Sequence, residues 1–259
     1  MNRIILIGNG FDLAKKYHKR NENRIILVRF AKTIAVLLTF VISTFVTSAS
    51  AQTKPIVSIL GDSYSTFEGY TTPQENEQWY FKTKRDRTDV EKVEQTWWWI
   101  LCEEYGLQLE INNSYSGSTI SYSGYYGRDY KDRSFITRAP NIGNPDIILV
   151  FGATNDDWAG APLGTLKYEG WTEEDLYSFR PAMTYLASYL CENHPKAKIY
   201  FIVNDCLKDE ITSTIREVCS HYDISVIELK NITKKTSHPT VAGMRHIAEQ
   251  VGNALKPKE

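Results

Sequence analysis

At 259 residues, with 42% hydrophobic and 24% charged side chains, the chain has the makeup of a globular protein long enough for one well-buried α/β domain, which excludes a disordered or low-complexity class. The net charge of −1 is unevenly spread: eight of the 30 basic residues but only two of the 31 acids fall in the first fifty positions, so the remainder is acidic by seven. An acidic body argues against nucleic acid as a partner, because neutralising phosphates takes a basic face, and against an anionic membrane surface.

The basic start has two parts. Residues 1–23 are read as an N-terminal extension that is a fusion or a start-site artefact. Within it, Ile4-Ile5-Leu6-Ile7-Gly8-Asn9-Gly10-Phe11-Asp12-Leu13-Ala14 resembles the opening of a phage abortive-infection family, but the resemblance ends within twenty residues and one strand and turn cannot bury a core. Residues 24–51 are read as a secretory signal peptide: Arg24, Arg29 and Lys32 precede an uncharged apolar run over 33–46, which leads into Ala49-Ser50-Ala51 with small residues at −3 and −1 of a cleavage point. The apolar run is shorter than the ~20 residues a spanning helix needs. The alternative is an uncleaved N-terminal anchor. Gln52 in place of a cysteine argues against lipid attachment. The expected location is therefore periplasmic or extracellular, with no stable membrane insertion after cleavage.

Beyond the cleavage point, residues 52–259 alternate. Short apolar runs at 56–60, 107–111, 147–151, 199–203 and 225–229 read as strands buried on both faces, and 93–105, 173–191, 208–222 and 240–255 carry helical spacing. Such βαβ alternation with right-handed crossovers predicts a three-layer α/β/α sandwich around a five-stranded parallel sheet in the order 2-1-3-4-5. Trp97-Trp98-Trp99 lies on one predicted helix, where consecutive residues point different ways, and is expected to wedge the core rather than line a pocket. Cys102, Cys191, Cys206 and Cys219 allow three pairings but read better as free thiols, since a domain of this size needs no staples, and no zinc-ligand spacing appears. Two long loops, 64–89 and 114–144, are of a length that is usually functional. The second is dense in Tyr, Ser and Gly. Flat rings with a polar tip suit sugar faces, so Tyr115, Tyr122 and Trp158 are candidate substrate-binding residues; the alternative is that the tyrosines cover the sheet edge.

Three strings carry the chemistry. Gly61-Asp62-Ser63 and Gly152-Ala153-Thr154-Asn155-Asp156 each follow a predicted strand, and His238-Pro239 precedes the last helix. The carboxyl ends of parallel strands share one crevice, so the strings place a hydroxyl, a carboxamide and an imidazole together. A serine hydroxyl is a weak nucleophile without a base in reach, and His238 is the best-placed base; His194, His221 and His246 lie in a turn or on predicted helices. The backbone N–H groups of Ser63 and Gly117 and the Asn155 amide supply three donors for a developing oxyanion.

Gly61-Asp62-Ser63, Gly117 within Asn113-Ser114-Tyr115-Ser116-Gly117, Gly152-Ala153-Thr154-Asn155-Asp156 and His238-Pro239 resemble, in order, the four sequence blocks of the SGNH (GDSL) hydrolases. The resemblance implies a flavodoxin-like sandwich, ester hydrolysis through Ser63 and His238, an oxyanion hole of Ser63, Gly117 and Asn155, and no metal or organic cofactor. One position departs from it: the family's aspartate three residues before the histidine is Lys235 here. Three readings stay open, namely a Ser-His dyad oriented by a backbone carbonyl, an acid recruited from elsewhere, and a weakened enzyme; neither Asp223 nor Glu228 is placed by sequence to serve. The expectation is an exported serine esterase acting on small acyl esters, acetyl groups on carbohydrate above all, whose partner is a small-molecule or glycan ester. The rivals are a catalytically silent carbohydrate-binding relative and a lipase or thioesterase.

Overall fold

The computed structural model describes residues 53–256 together with residues 19 and 20; the segment expected to be a signal peptide, and all but two residues of the extension before it, lie outside the described residues. Within Lys54–Glu259, which forms one unit, five strands make a parallel sheet: β1 (Ile56–Gly61), β2 (Gln108–Ser114), β3 (Ile147–Gly152), β4 (Lys198–Val203) and β5 (Ser225–Glu228), in the order β2-β1-β3-β4-β5. That is the expected order.

The apolar runs make strands because both faces are covered. Along β3 every residue is buried; Ile147, Leu149 and Phe151 face one helical layer, and Ile148 and Val150 face the other. The first layer holds α1 (Trp97–Tyr105) and α6 (Val241–Leu255), with Trp97 and Trp98 buried in one core with Phe151 and Met244, whereas Trp99 is partly buried and, with Trp98 and Tyr70, lines a pocket, so only part of the tryptophan run wedges the core. The second holds α4 (Phe179–Asn193) and α5 (Asp209–His221), packed through Met183, Leu186, Ile215 and Val218. Between α1 and α4 in the chain come two short helices that periodicity cannot reveal, α2 (Phe135–Arg138) and α3 (Thr154–Ala159). The helix expected from 173 begins at Phe179 instead, two residues before Pro181, which is tolerated in a first turn because its missing N–H has no partner there anyway. Cys102 and Cys219 are buried thiols, Cys191 is half-buried and Cys206 exposed. No helix among the described residues is long and apolar enough to cross a membrane.

Register sets the site. Gly61 pairs with Ser114 on one side and with Phe151 on the other, so β1, β2 and β3 end level at one edge. At Gly61 a Cβ would collide with Ser114 Oγ and with Ser65, so glycine is what lets the loops after β1 and β2 approach. The chain leaves β1 toward β2 on one flank and returns to β3 on the other, and the crevice at that reversal is where ligands bind in sheets of this kind.

Candidate active site

Ser63 opens a one-turn 3₁₀ helix, Ser63–Ser65, directly after β1. Asp62 caps that turn: its Oδ1 accepts from Tyr64 N–H at 3.0 Å, while its own N–H donates to Phe151 O at 3.2 Å and ties the turn to β3. Burial pushes the Asp62 carboxyl up to about 7, against the lowering effect of the Tyr64 N–H and the Arg138 charge.

His238 arrives from a two-stranded hairpin, β6 (Lys234–Lys235) and β7 (His238–Pro239), in which Lys235 pairs with His238. Its two-residue turn, Thr236 and Ser237, has φ of 48° and 61°, the left-handed pair that such turns normally assign to Asn-Gly. A β-branched residue there is strained, and the strain is held by neighbours. Tyr64 OH donates to Ser237 O at 2.5 Å and Tyr80 OH to Pro239 O at 3.0 Å, one hydroxyl on each side of His238. The product of the strain is aim. Thr236 O lies 3.0 Å from His238 Nδ1, and His238 Nε2 lies 2.9 Å from Ser63 Oγ. With a carbonyl at Nδ1 the proton sits there, leaving Nε2 as the acceptor of the Ser63 hydroxyl.

Of the three readings left open at Lys235, the first has its geometry present in one respect: a backbone carbonyl, that of Thr236, faces Nδ1. Among the described residues no carboxylate hydrogen-bonds His238; Lys235 is exposed, and Glu228 pairs with Arg216 at 2.6 Å. Because Nδ1 is already engaged, Lys235→Asp is expected to change kcat by less than about threefold, and a rise above tenfold in steady-state assays would show that the Thr236 carbonyl is an inadequate substitute. The imidazole is 6% exposed. Burial pushes it down to about 4; the Thr236 carbonyl opposes this, and the charges of Arg87 and Lys234 add to it.

The donors expected for an oxyanion come from the loops that follow β1, β2 and β3, which end at one edge. Gly117 is the third residue of a turn closed by Ser118 N–H to Tyr115 O at 3.2 Å, and its φ of 80° is the conformation that assigns glycine there. Among the described residues, neither Ser63 N–H nor Gly117 N–H donates to a protein acceptor. Asn155 follows Ala153, whose φ of 70° turns the chain sharply from β3 into α3. Its Nδ2 donates to Ser118 O at 2.9 Å, beside the Gly117 turn, and its Oδ1 accepts from Tyr125 OH at 2.8 Å, which fixes which way round the amide sits. The next residue, Asp156, works as an anchor. Its carboxylate accepts from Ile120 N–H, Ser121 N–H and Ser121 Oγ at 2.7, 3.0 and 2.8 Å, tying the loop after Gly117 to α3.

Other site residues have no signature in the sequence that marks them out. Arg138, buried on α2, donates to Gly61 O at 3.1 Å, to Ser118 Oγ at 2.9 Å and to Asn113 O, so one guanidinium joins the ends of β1 and β2 to the Gly117 turn. Burial pushes it down to about 9, with Asp62 pulling the other way. Tyr64, Trp79, Tyr80 and Tyr125 belong with it; the one cue to them is the density of aromatics in the two loops. Of the aromatic candidates, Trp158 lies edge-on to His238 with ring centroids 6.3 Å apart and stays 42% exposed. Tyr115 is half-buried in the Gly117 turn under the Arg133 guanidinium. Tyr122 is a correction: it is 7% exposed and packs in the second core layer against Tyr177, covering the sheet rather than offering a face to substrate.

The profile of the GDSL-like Lipase/Acylhydrolase family matches residues 55–255. The chain belongs to that family. As a GDSL-like hydrolase it is an enzyme acting on ester bonds. Its structure is similar to a GDSL-like lipase from Bacteroides ovatus, with 52% identity, a TM-score of 0.78, and 79% of this chain and 99% of that one covered. A second, from Bacteroides uniformis, has the same identity and TM-score over 81% and 99% of the two chains. More distantly, the fold of this GDSL-like hydrolase is shared with an acetyl xylan esterase from Butyrivibrio proteoclasticus, at 15% identity and a TM-score of 0.51 over 78% and 63%. No curated protein matches the chain in sequence.

Proposed function

We propose that the chain is an exported serine esterase that removes small acyl groups, acetyl above all, from carbohydrate through a Ser-His dyad. The observation that carries the reading is the 2.9 Å contact from Ser63 Oγ to His238 Nε2, with Nδ1 held by a carbonyl. Ser63 Oγ attacks the ester carbonyl while Nε2 takes its proton. The tetrahedral oxyanion is received by Ser63 N–H, Gly117 N–H and the Asn155 amide. Its collapse passes the proton from Nε2 to the leaving alkoxide and leaves an acyl-Ser63, which a water activated by the same imidazole hydrolyses. Carbohydrate as the leaving group is supported by the exposed Trp158 beside the imidazole and by Tyr126, 92% exposed on the loop that fixes Asn155, since flat rings suit sugar faces. The shared fold of the acetyl xylan esterase supports it by analogy only.

A panel of 4-nitrophenyl esters of rising chain length beside acetylated sugars tests this. Turnover is expected on acetyl esters and to fall with chain length; no hydrolysis of any ester would overturn the proposal in favour of a silent binding relative. The pH profile follows from the imidazole, which must be neutral to act and is neutral above about 4. Thus the loss of kcat/KM that belongs to His238 is expected to pass through an inflection near 4, below any step that the Asp62 carboxyl gives near 7, with circular dichroism confirming that the fold survives. An inflection at about 6.5, the ordinary histidine value, that persists in Asp62→Asn would mean that His238 is hydrated. For export, material recovered from the periplasm or medium is expected to begin at Gln52 on N-terminal sequencing; intact Met1 in the cytosol would sink that part of the reading.

A further inference from the structure

The imidazolium formed when His238 takes the Ser63 proton is a buried cation with no carboxylate at its back. In Ser-His-Asp systems the acid both sets the tautomer and balances that charge. Thr236 O sets the tautomer, but a carbonyl is only a dipole and balances little charge. The nearest charges do not help: the Arg87 guanidinium, from the loop after β1, lies on the far face of the Trp79 indole, Lys234 on β6 is paired with Asp205, and both cations act against a positive ring. What remains is aromatic. Trp79 lies flat on the imidazole with ring centroids 3.5 Å apart and planes 6° from parallel, while Tyr64 and Tyr80 meet it edge-on at 5.2 and 6.4 Å.

We propose that the indole face of Trp79 takes the place of the missing carboxylate, holding the plane of His238 and stabilising the imidazolium through its π electrons. This rests on the Ser-His reading of the site. The indole is held in position from both ends of its residue. The backbone N–H of Trp79 donates to Thr66 Oγ1 at 2.9 Å, and Thr66 Oγ1 donates in turn to Ser63 O at 3.0 Å, so the base's platform and the nucleophile share one bracket. Trp79 O accepts from the Arg87 guanidinium at 3.0 Å, which also covers the indole at 3.9 Å. Tyr80, the next residue, holds Pro239 O on the hairpin that carries His238. Trp79 is thus a positioning residue whose effect is felt when the proton has moved.

A structural role and an electrostatic one separate when shape is kept and π density is removed. Trp79 replaced site-specifically by mono-, di- and trifluorinated tryptophans keeps its outline while its face becomes steadily less negative. The single-turnover acylation rate on 4-nitrophenyl acetate is expected to fall stepwise along the series, by about two- to thirtyfold in all, with KM unchanged. A flat rate across the series overturns the proposal. Trp79→Phe is expected to keep much of the rate that Trp79→Leu loses; equal losses would again overturn it, because a weaker π face would then be no better than none. Failure of the unaltered protein to hydrolyse any ester would instead defeat the Ser-His reading beneath it, so the two failures are distinguishable.

Discussion

Ser63→Ala and His238→Ala are each expected to lower kcat/KM on 4-nitrophenyl acetate by roughly 10⁴ to 10⁶, and the double variant to be no worse than either single one. The hydroxyl and the imidazole make one 2.9 Å contact and, in the proposed mechanism, act as one unit. Without the hydroxyl, Nε2 has no proton to take; without the imidazole, the hydroxyl is a weak nucleophile at neutral pH, so the second loss finds nothing left to remove. Residual rate over water then comes from the oxyanion donors and from binding, which both variants retain. Thermal unfolding separates chemistry from folding. Ser63→Ala removes one buried hydrogen bond, worth about 1 kcal/mol, and is expected to unfold within a few degrees of the unaltered protein. His238→Ala opens space beside Trp79 and Tyr64 and is expected to unfold somewhat lower. Additive losses would mean that the two residues act in separate steps.

The parts of this site legible in the sequence are those whose chemistry lies in a side chain at a strand edge. Ser63, Asn155 and His238 are read from residue type and from the apolar run or helix next to each, and Gly117 from the sequence block it shares with the family. The five strands are legible for a related reason: burial on both faces leaves unbroken apolar runs, as along β3. The partner of His238 Nδ1 is not legible, because it is a backbone carbonyl aimed by a strained turn, and residue type says nothing about where a carbonyl points. Lys235 reads as a lost function only if the function has to be a carboxylate. Trp79 is hidden by distance along the chain: its contact with His238 spans most of the domain, and nothing local to either residue announces it. Arg138 is hidden by its company, a cation within an apolar stretch whose short helix has too few turns to show a period. The tyrosine-rich loop divides in a way composition cannot foresee, with Tyr122 in the core and Tyr125 on the Asn155 amide.

Asn155→Ala is expected to lower kcat by about 10² to 10³ with KM nearly unchanged, because in the proposed mechanism the amide it removes meets a charge that exists only after Ser63 has attacked. The orientation of that amide comes from two neighbours: Ser118 O takes one hydrogen of Nδ2, and Tyr125 OH holds Oδ1. Tyr125→Phe therefore leaves Asn155 in place but removes the bond that pins its oxygen away from the reacting carbonyl, and a loss of about tenfold in kcat is expected, smaller than that of Asn155→Ala. Combining the two changes should cost no more than Asn155→Ala alone, since Tyr125 has nothing left to orient. Asn155→Asp sharpens the test. It keeps the size of the side chain and an acceptor for Tyr125, but sets a carboxylate where the oxyanion forms and against Ser118 O, so it is expected to be slower than Asn155→Ala although it is the smaller change in shape. If Asn155→Ala raised KM and left kcat intact, the amide would belong to substrate recognition, and the oxyanion would rest on the Ser63 and Gly117 N–H groups alone.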